Sequence, residues 1–295
     1  MANIWKLKQE ICEVGRRMYD RGLVTAFEGN ISARLGPDRV LCTPSLVCKG
    51  HLKPEDLCVV DMEGKQCQGD RKRSSEIFLH LAVYRERPDI EAVVHGHPPY
   101  ASAFALTHTP LPQCVTAEVE VFLGAVSLAP YATPGTPELG ESIVPLVRDA
   151  NAVLLSNHGT VSWGKSPQDA LHRTEILEAY CRTLILARML GPIQRLSDSN
   201  MRDLMAVKQK LGLPDRRAGQ ETFENCDLCG NSEFGRGFCE PIGSPRNSKP
   251  GEDPQQTISS PSAQGDLEAL VREITERVWS AVSSTGFSRR DGLAS

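Results

Sequence analysis

Two histidines stand one residue apart at the end of a short apolar run, as His95 and His97. Because successive side chains of a strand alternate between its faces, both imidazoles point the same way and can hold one ion together. A third histidine, His158, follows a second apolar run. Two histidines from one segment and one from a distant segment match a catalytic zinc site, which keeps one position open for substrate. The simpler alternative is a hydrogen-bonded histidine pair at a strand end.

Two hydroxyls and a carboxylate precede this pair by about twenty residues, in Ser74, Ser75 and Glu76. They begin a segment rich in apolar residues, where serine and acidic residues typically cap a helix. Hydroxyls and backbone N–H groups at a helix start also bind anions, so the same residues could hold a phosphate. His80 lies inside this predicted helix, and we expect it to be packed or paired rather than to bind a metal.

Amphipathic helices and short strands must position these residues. The helical spacing of apolar residues predicts a first helix from about Trp5 to Gly22 and a long helix from Ala170 to Met189. The segment from Glu118 to Phe122 alternates acidic and apolar residues, which predicts a strand or a strand edge. Strands and helices that intermix around one core predict a layered α/β domain over residues 1–217.

Composition excludes several classes of protein. The 295 residues are 40% hydrophobic and 24% charged, as in a globular protein with a sizeable core. The net charge of −4, with Lys and Arg dispersed, argues against nucleic-acid binding. The N-terminus has no signal pattern, and no apolar run approaches membrane-spanning length, so we expect a cytoplasmic protein with no membrane partner. Its ten cysteines are then expected to be reduced thiols.

Six short motifs resemble those of one known family: Gly29-Asn30-Ile31-Ser32, Thr43-Pro44-Ser45, Ser74-Ser75-Glu76, His95-Gly96-His97, Ala129-Pro130-Tyr131-Ala132-Thr133 and Asn157-His158-Gly159. From its first helix to about residue 213, the chain resembles the class II aldolase and adducin family. The bacterial enzymes of this family include L-fuculose-phosphate aldolase, rhamnulose-1-phosphate aldolase and L-ribulose-5-phosphate 4-epimerase. The resemblance implies a layered αβα domain around a central, mainly antiparallel sheet, and a homotetramer with active sites between subunits.

The resemblance also implies a role for each residue of the motifs. It makes His95, His97 and His158 the ligands of Zn²⁺ and Glu76 the catalytic acid/base. The phosphate of a sugar substrate would be held by Asn30, Ser45, Ser74, Ser75 and the backbone at Leu46. Zinc would stabilise the enediolate that forms when a carbon–carbon bond of a ketose 1-phosphate breaks. Glu76 would then return a proton, giving dihydroxyacetone phosphate and an aldehyde.

The chain departs from the family pattern where the aldehyde end of the substrate is handled. The fuculose-type enzymes carry a tyrosine in the segment that aligns near Glu118 and another near Leu211, and this chain has neither. Glu118 or Glu120 is a candidate for the missing proton donor, and an exposed strand-edge carboxylate is the alternative. Leu46 replaces a glycine that is common in the phosphate loop, and Glu28 replaces a smaller residue, so the geometry of that loop is in question.

A cysteine-containing segment, residues 218–240, follows the region of resemblance. Cys226, Cys229 and Cys239 provide three of the four ligands of a small metal site, and free thiols in a loop are the alternative. The next residues, 241–265, are rich in Pro, Ser, Gly and Gln, which is typical of a flexible linker.

An amphipathic helix is predicted for residues 266–284, at the end of this flexible tail. Its apolar stripe is formed by Leu267, Leu270, Val271, Ile274, Val278 and Val282. A helix attached through a linker is expected to bind something else, and the pattern resembles the encapsulation peptides of enzymes packed in bacterial microcompartments. The alternative is an oligomerisation helix that packs on its own tetramer.

These features together favour a zinc-dependent aldolase that acts on a small phosphorylated sugar. The substrate would be L-fuculose or L-rhamnulose 1-phosphate, cleaved to dihydroxyacetone phosphate and lactaldehyde. The enzyme would reside in a microcompartment lumen, with a shell protein as partner of the terminal helix. Three alternatives stay open: an L-ribulose-5-phosphate 4-epimerase-like isomerase, a methylthioribulose-phosphate dehydratase and a non-enzymatic adducin-like module.

Overall fold

The computed structural model describes residues 4–213, 215 and 217–223, which lie in one compact unit. The helices are α1 Ile4–Asp20, α2 Ile77–Glu86, α3 Pro99–Thr107, α4 Ala117–Phe122, α5 Pro137–Val147, α6 Pro167–Leu190 and α7 Asp198–Lys210. The strands are β1 Asn30–Arg34, β2 Arg39–Cys42, β3 Cys58–Asp61, β4 Gln66–Gln68, β5 Ala92–Gly96, β6 Ser127–Ala129, β7 Ala152–Leu155 and β8 Gly159–Gly164. The cysteines Cys226, Cys229 and Cys239, the linker at 241–265 and the helix at 266–284 lie outside the described residues.

One eight-stranded sheet organises the domain, in the order β4-β3-β2-β1-β5-β8-β7-β6. Every neighbouring pair is antiparallel except β6 and β7, which run parallel. β5 occupies the middle of this order, between β1 and β8, and it is buried along its whole length. The expectation of a mainly antiparallel central sheet is therefore confirmed.

Helices cover both faces of the sheet, because the central strands are apolar on both sides. Val93 of β5 belongs to a core cluster that includes residues of α2 and α5. Val94, the next residue, belongs to a different cluster that includes residues of α1 and α6. The twofold alternation of a strand thus sends neighbouring valines into opposite layers. The layered αβα architecture expected for the chain is confirmed.

The segment from Glu118 to Phe122 differs from the expectation of a strand, because it forms the short helix α4. Glu120 is only 1% exposed, so the expectation of an exposed strand-edge carboxylate is wrong for this residue. Its Oε2 lies 2.8 Å from Nη2 of Arg217, far along the chain. A local alternation of acidic and apolar residues cannot indicate a partner so far away in the sequence. The pattern alone therefore gave the wrong environment for Glu120.

Six described cysteines carry free thiols: Cys12, Cys42, Cys48, Cys58, Cys67 and Cys181. Cys114 is disulfide-bonded, so the expectation of reduced thiols is wrong for this residue.

Within the described part of the chain, none of the helices has the length and apolar character needed to cross a bilayer.

A buried polar cluster joins β1 to α2, the helix that follows Glu76. Nδ1 of His80 lies 2.6 Å from Oγ of Ser32, which lies 2.8 Å from the hydroxyl of Tyr84. His80 is thus packed and paired, as expected. Burial, and to a smaller extent the neighbouring His95, lower the pKa of His80 from 6.5 to about 3.

The buried His80 predicts a loss of stability in acid. Between pH 6.5 and about 3 the unfolded chain protonates this imidazole and the folded chain does not, so the free energy of unfolding decreases as the pH falls. The contribution of this one residue to the slope approaches about 1.4 kcal/mol per pH unit only once the pH is well below 6.5. We expect His80→Asn to remove that slope in urea unfolding measured from pH 7 to pH 5. His172→Asn, at an exposed position of α6, should keep it.

Candidate active site

Three imidazoles converge at one end of the central strands. His95 lies in β5, His97 follows that strand directly, and His158 lies in the turn between β7 and β8. One nitrogen from each ring can be chosen so that all three lie within 4.8 Å of one another. The structure therefore brings together the three histidines that the sequence singles out.

The turn that carries His158 has an unusual backbone. Asn157, one residue before it, has a φ of 55°, in the left-handed region that asparagine tolerates better than most residues. Its N–H donates to the carbonyl of Ala105 (3.2 Å), and its Oδ1 accepts from Nε2 of His108 (2.7 Å). These bonds tie the turn to the end of α3 and hold His158 in place.

The separation of the imidazole nitrogens fits a metal ion. Nε2 of His95 and Nε2 of His97 lie 3.2 Å apart. Two nitrogens bound to one tetrahedral zinc at about 2.0 to 2.1 Å are separated by roughly 3.3 Å. Nδ1 of His95 donates to the carbonyl of Thr160 (2.8 Å), which leaves the lone pair of Nε2 facing the other rings. This donor set suits a divalent transition metal.

The surroundings of His95 and His158 favour the neutral form of these two rings, which is the form that binds metal. Complete burial, followed by the nearby His97 and His158, lowers the pKa of His95 well below its ordinary value. Burial also lowers the pKa of His158, although Glu76 opposes the shift. Metal ligation requires neutral imidazole, so both shifts favour binding near neutral pH.

Glu76 lies against the histidine cluster. Its Oε2 is 3.4 Å from Nε2 of His95, and its Oε1 is 3.3 Å from Nε2 of His158. The side-chain amide of Asn30 donates to Oε2 (2.7 Å), so this oxygen is held while Oε1 accepts no hydrogen bond from the described residues. A mostly buried carboxylate with one restrained and one free oxygen, beside three candidate metal ligands, could exchange a proton with a substrate bound there.

The predicted phosphate residues separate into two groups. Two hydrogen bonds bring together Ser45, Ser74 and Ser75. The N–H of Ser45 donates to the backbone carbonyl of Lys72 (2.9 Å), and the N–H of Ser75 donates to Oγ of Ser45 (3.2 Å). Asn30 lies instead at the carboxylate of Glu76.

Leu46 directly follows Ser45, in the loop that we call the serine loop, and its side chain is 77% exposed. It has a φ of 57°, which explains why glycine is favoured at this position. The loop thus adopts a glycine-type backbone with leucine in its place.

The two candidates for the missing proton donor lie elsewhere. Glu118 is exposed on α4, and its role as a second acid/base stays a prediction. Glu120 is paired with Arg217, which also contacts Asp215 at 2.9 Å. Lys208 completes this buried group, 2.8 Å from the same Asp215 oxygen. Glu120 therefore serves a structural ion cluster rather than the histidine site.

Two charged residues near the site were missed by the sequence reasoning. Nζ of Lys49 is buried and donates to the carbonyl of Val47 (2.6 Å), and burial lowers its pKa to about 8. Oε1 of Glu28 lies 3.5 Å from Nδ1 of His97. Partial burial raises the pKa of Glu28, but hydrogen bonds from Thr25 and the nearby His97 lower it overall. The sequence offered one indication for Glu28, because a smaller residue is usual at this position in the family that the chain resembles.

The layered fold, with three imidazoles and a carboxylate at one end of its sheet, defines a metal-dependent enzyme site of the kind that polarises a carbonyl oxygen. Residues 9–185 match the family of the Class II Aldolase and Adducin N-terminal domain, and the chain belongs to this family.

Three relatives illustrate the range of activities in the family. A 3-oxo-tetronate 4-phosphate decarboxylase of Haemophilus influenzae is 35% identical over 67% of this chain and 95% of its own length. A 5-deoxy-D-ribulose 1-phosphate aldolase of Bacillus thuringiensis is 33% identical over 68% and 93%. The structure of an L-fuculose 1-phosphate aldolase superposes with a TM-score of 0.65, at 30% identity over 70% of this chain and 97% of that one. The expectation of a lyase is therefore confirmed.

The histidine cluster predicts a metal content that depends on each of its members. Replacement of His95 or His158 by alanine leaves two ligands, so we expect the metal content per subunit to fall by at least about tenfold. Elemental analysis of the purified protein measures this content. His172→Ala removes an exposed imidazole from α6 and should leave it unchanged. Full metal content in the His158→Ala protein would exclude His158 as a ligand.

Proposed function

We propose that this protein is a zinc-dependent aldolase that cleaves a deoxyketose 1-phosphate, L-fuculose or L-rhamnulose 1-phosphate, to dihydroxyacetone phosphate and lactaldehyde. The observation that carries the proposal is the placement of Glu76, within 3.3 and 3.4 Å of the Nε2 atoms of two candidate metal ligands. A carboxylate this close to the nitrogens that would hold the metal would also lie close to a substrate carbon next to a coordinated oxygen.

The proposed reaction assigns separate tasks to the residues of the site. His95, His97 and His158 would hold the ion, which supplies Lewis-acid stabilisation of the negative charge that develops on the substrate oxygens. Oε1 of Glu76, the oxygen without a hydrogen-bond donor among the described residues, would carry the proton to the carbon left by bond cleavage. Asn30 would keep the carboxylate oriented through Oε2.

The phosphate group of the substrate would bind at Ser45, Ser74 and Ser75. Ser45, Ser74 and Ser75 belong to two segments that hydrogen-bond to each other, so three hydroxyls lie in one small region next to Glu76. Oγ of Ser74 accepts from the N–H of Glu76 (3.3 Å), which connects this region directly to the proposed acid/base. Substrate binding and proton transfer would thus depend on the same short stretch of chain.

Decarboxylation of a phosphorylated 3-keto acid is a second candidate function. The observation that favours it is the absence of the two family tyrosines near Glu118 and Leu211, together with the decarboxylase relative at 35% identity. In both reactions a carbon–carbon bond breaks and leaves its electron pair next to a carbonyl. A departing aldehyde requires loss of a hydroxyl proton, whereas departing carbon dioxide does not, so a decarboxylase needs no proton acceptor at that end.

The C-terminal tail, from residue 241 onward, has a proposed role in the location of the enzyme. We infer from the apolar stripe in residues 266–284, and from the linker at 241–265, that the tail directs a homotetramer into a bacterial microcompartment by binding a shell protein.

Substrate cleavage tests the proposed activity. We expect the purified protein to release dihydroxyacetone phosphate from L-fuculose or L-rhamnulose 1-phosphate, and a chelator to stop the release. Glu76→Gln should lower kcat by about 10² to 10⁴ with little change in KM or metal content, because it removes the proton carrier and keeps the shape. Glu91→Gln, at an exposed position before β5, is the matched control.

The same assay separates the candidate functions. Carbon dioxide release from 3-oxo-tetronate 4-phosphate, without cleavage of either deoxyketose phosphate, would replace the aldolase proposal by the decarboxylase. If metal is bound and none of these substrates reacts, L-ribulose 5-phosphate epimerisation is the activity to measure next.

Removal of residues 241–295 tests the role of the tail. The shortened protein should keep the cleavage rate of the full chain, because every residue of the proposed site precedes the deletion. We expect it to lose co-sedimentation with microcompartment shells when both are produced in one cell. Retention of the shortened protein in shells would contradict the targeting role.

A further inference from the structure

The outer nitrogens of the three proposed metal ligands lie in three different environments. Nδ1 of His95 donates to the backbone carbonyl of Thr160 at 2.8 Å. Nδ1 of His158 is buried and has no hydrogen-bond partner among the described residues. Nδ1 of His97 faces a carboxylate oxygen, Oε1 of Glu28, at 3.5 Å. His97 is therefore the ligand whose outer nitrogen lies next to a negative charge.

The carboxylate of Glu28 is held in this position by its own turn. Its second oxygen, Oε2, accepts from the backbone N–H of Thr25 (2.9 Å) and from the hydroxyl of Thr25 (2.8 Å). The N–H of Glu28 donates to the carbonyl of Thr25 (2.8 Å), which closes the turn. With Oε2 fixed by two donors, Oε1 is directed at the imidazole. Glu28 thus behaves as an oriented acceptor rather than as a mobile surface acid.

The orientation of His97 makes this acceptor important for the metal. Nε2 of His97 faces Nε2 of His95 at 3.2 Å, and the latter nitrogen carries a lone pair because its ring donates through Nδ1. A carboxylate at Nδ1 of His97 favours the tautomer with its proton on Nδ1, which leaves a second lone pair on Nε2. Two lone pairs at this distance repel each other unless a cation lies between them. A carboxylate behind a histidine ligand also increases its basicity and fixes the plane of its ring.

We propose that Glu28 is a positioning residue for the metal site, which fixes the tautomer and orientation of His97 and thereby tightens binding of a divalent metal. The proposal rests on the proposed metal site and adds to it a residue outside the metal ligands and the acid/base. It also assigns a purpose to a carboxylate that stands where the family has a smaller residue.

Metal affinity of the apoprotein, measured by competition with a chromophoric chelator, tests this role with Zn²⁺ and Co²⁺ as probes. Glu28→Gln keeps a carbonyl oxygen that can accept both Thr25 hydrogen bonds, but turns an amide donor toward Nδ1 of His97. We expect affinity to fall by about 10- to 100-fold, the range typical of partners behind a metal ligand. The ligand-field spectrum of bound Co²⁺ should shift as well. Glu91→Gln makes the same chemical change at an exposed site and should alter affinity by less than about twofold.

Two further measurements distinguish positioning from a role in the turn alone. The thermal midpoint of the metal-free Glu28→Gln protein should equal that of the metal-free wild type, since the turn hydrogen bonds remain. Thr25→Val, which removes one of the two bonds to Oε2, should weaken metal binding by an intermediate factor. Unchanged affinity in Glu28→Gln, with metal bound normally by wild type, would overturn the role of Glu28 and leave the proposed function intact. Failure of the wild-type apoprotein to bind either metal would overturn both.

Discussion

Repulsion between neighbouring nitrogen lone pairs is the constraint around which this structure is arranged. The Nε2 atoms of His95 and His97 are held 3.2 Å apart, and Glu76 places a carboxylate within 3.4 Å of the first. Lone pairs of imidazole nitrogens and of carboxylate oxygens gain nothing from facing one another in a site removed from water. A divalent cation turns the same arrangement into a set of attractions. The strands and turns that hold these groups together therefore stabilise a geometry that metal binding completes.

The centre of the sheet supplies the rigidity that this geometry needs. β5 pairs with β1 on one side and β8 on the other, and its register places Asn30 directly opposite His95. Because Asn30 donates to Glu76, one strand pairing positions both a metal ligand and the residue that orients the acid/base. The buried contact of Ser32 with His80 holds the same strand against α2, which follows Glu76. A local change in β1 would thus affect both a proposed metal ligand and the proposed acid/base.

Two further features of the domain are the backbone at Leu46 and the ion cluster around Glu120. The serine loop keeps a left-handed residue at Leu46, although a glycine would adopt this backbone with less strain. Glu120 is withdrawn into an ion cluster with Arg217, so this carboxylate does not replace a missing family tyrosine. These observations agree with a chain that retains the metal and phosphate chemistry of its family and changes the groups that contact the departing fragment.

Local periodicity and short motifs were enough to predict part of the fold and of the candidate site. The alternation of strand side chains placed His95 and His97 on one side, and the motifs identified Glu76 and His158 and the family fold. Contacts between distant residues became visible only in the folded chain. Glu120, in the short helix at Glu118 to Phe122, pairs with the distant Arg217. The proposed role of Glu28 likewise rests on a turn that directs its carboxylate at His97. Such contacts join positions far apart along the chain, so a pattern that spans only a few residues cannot predict them.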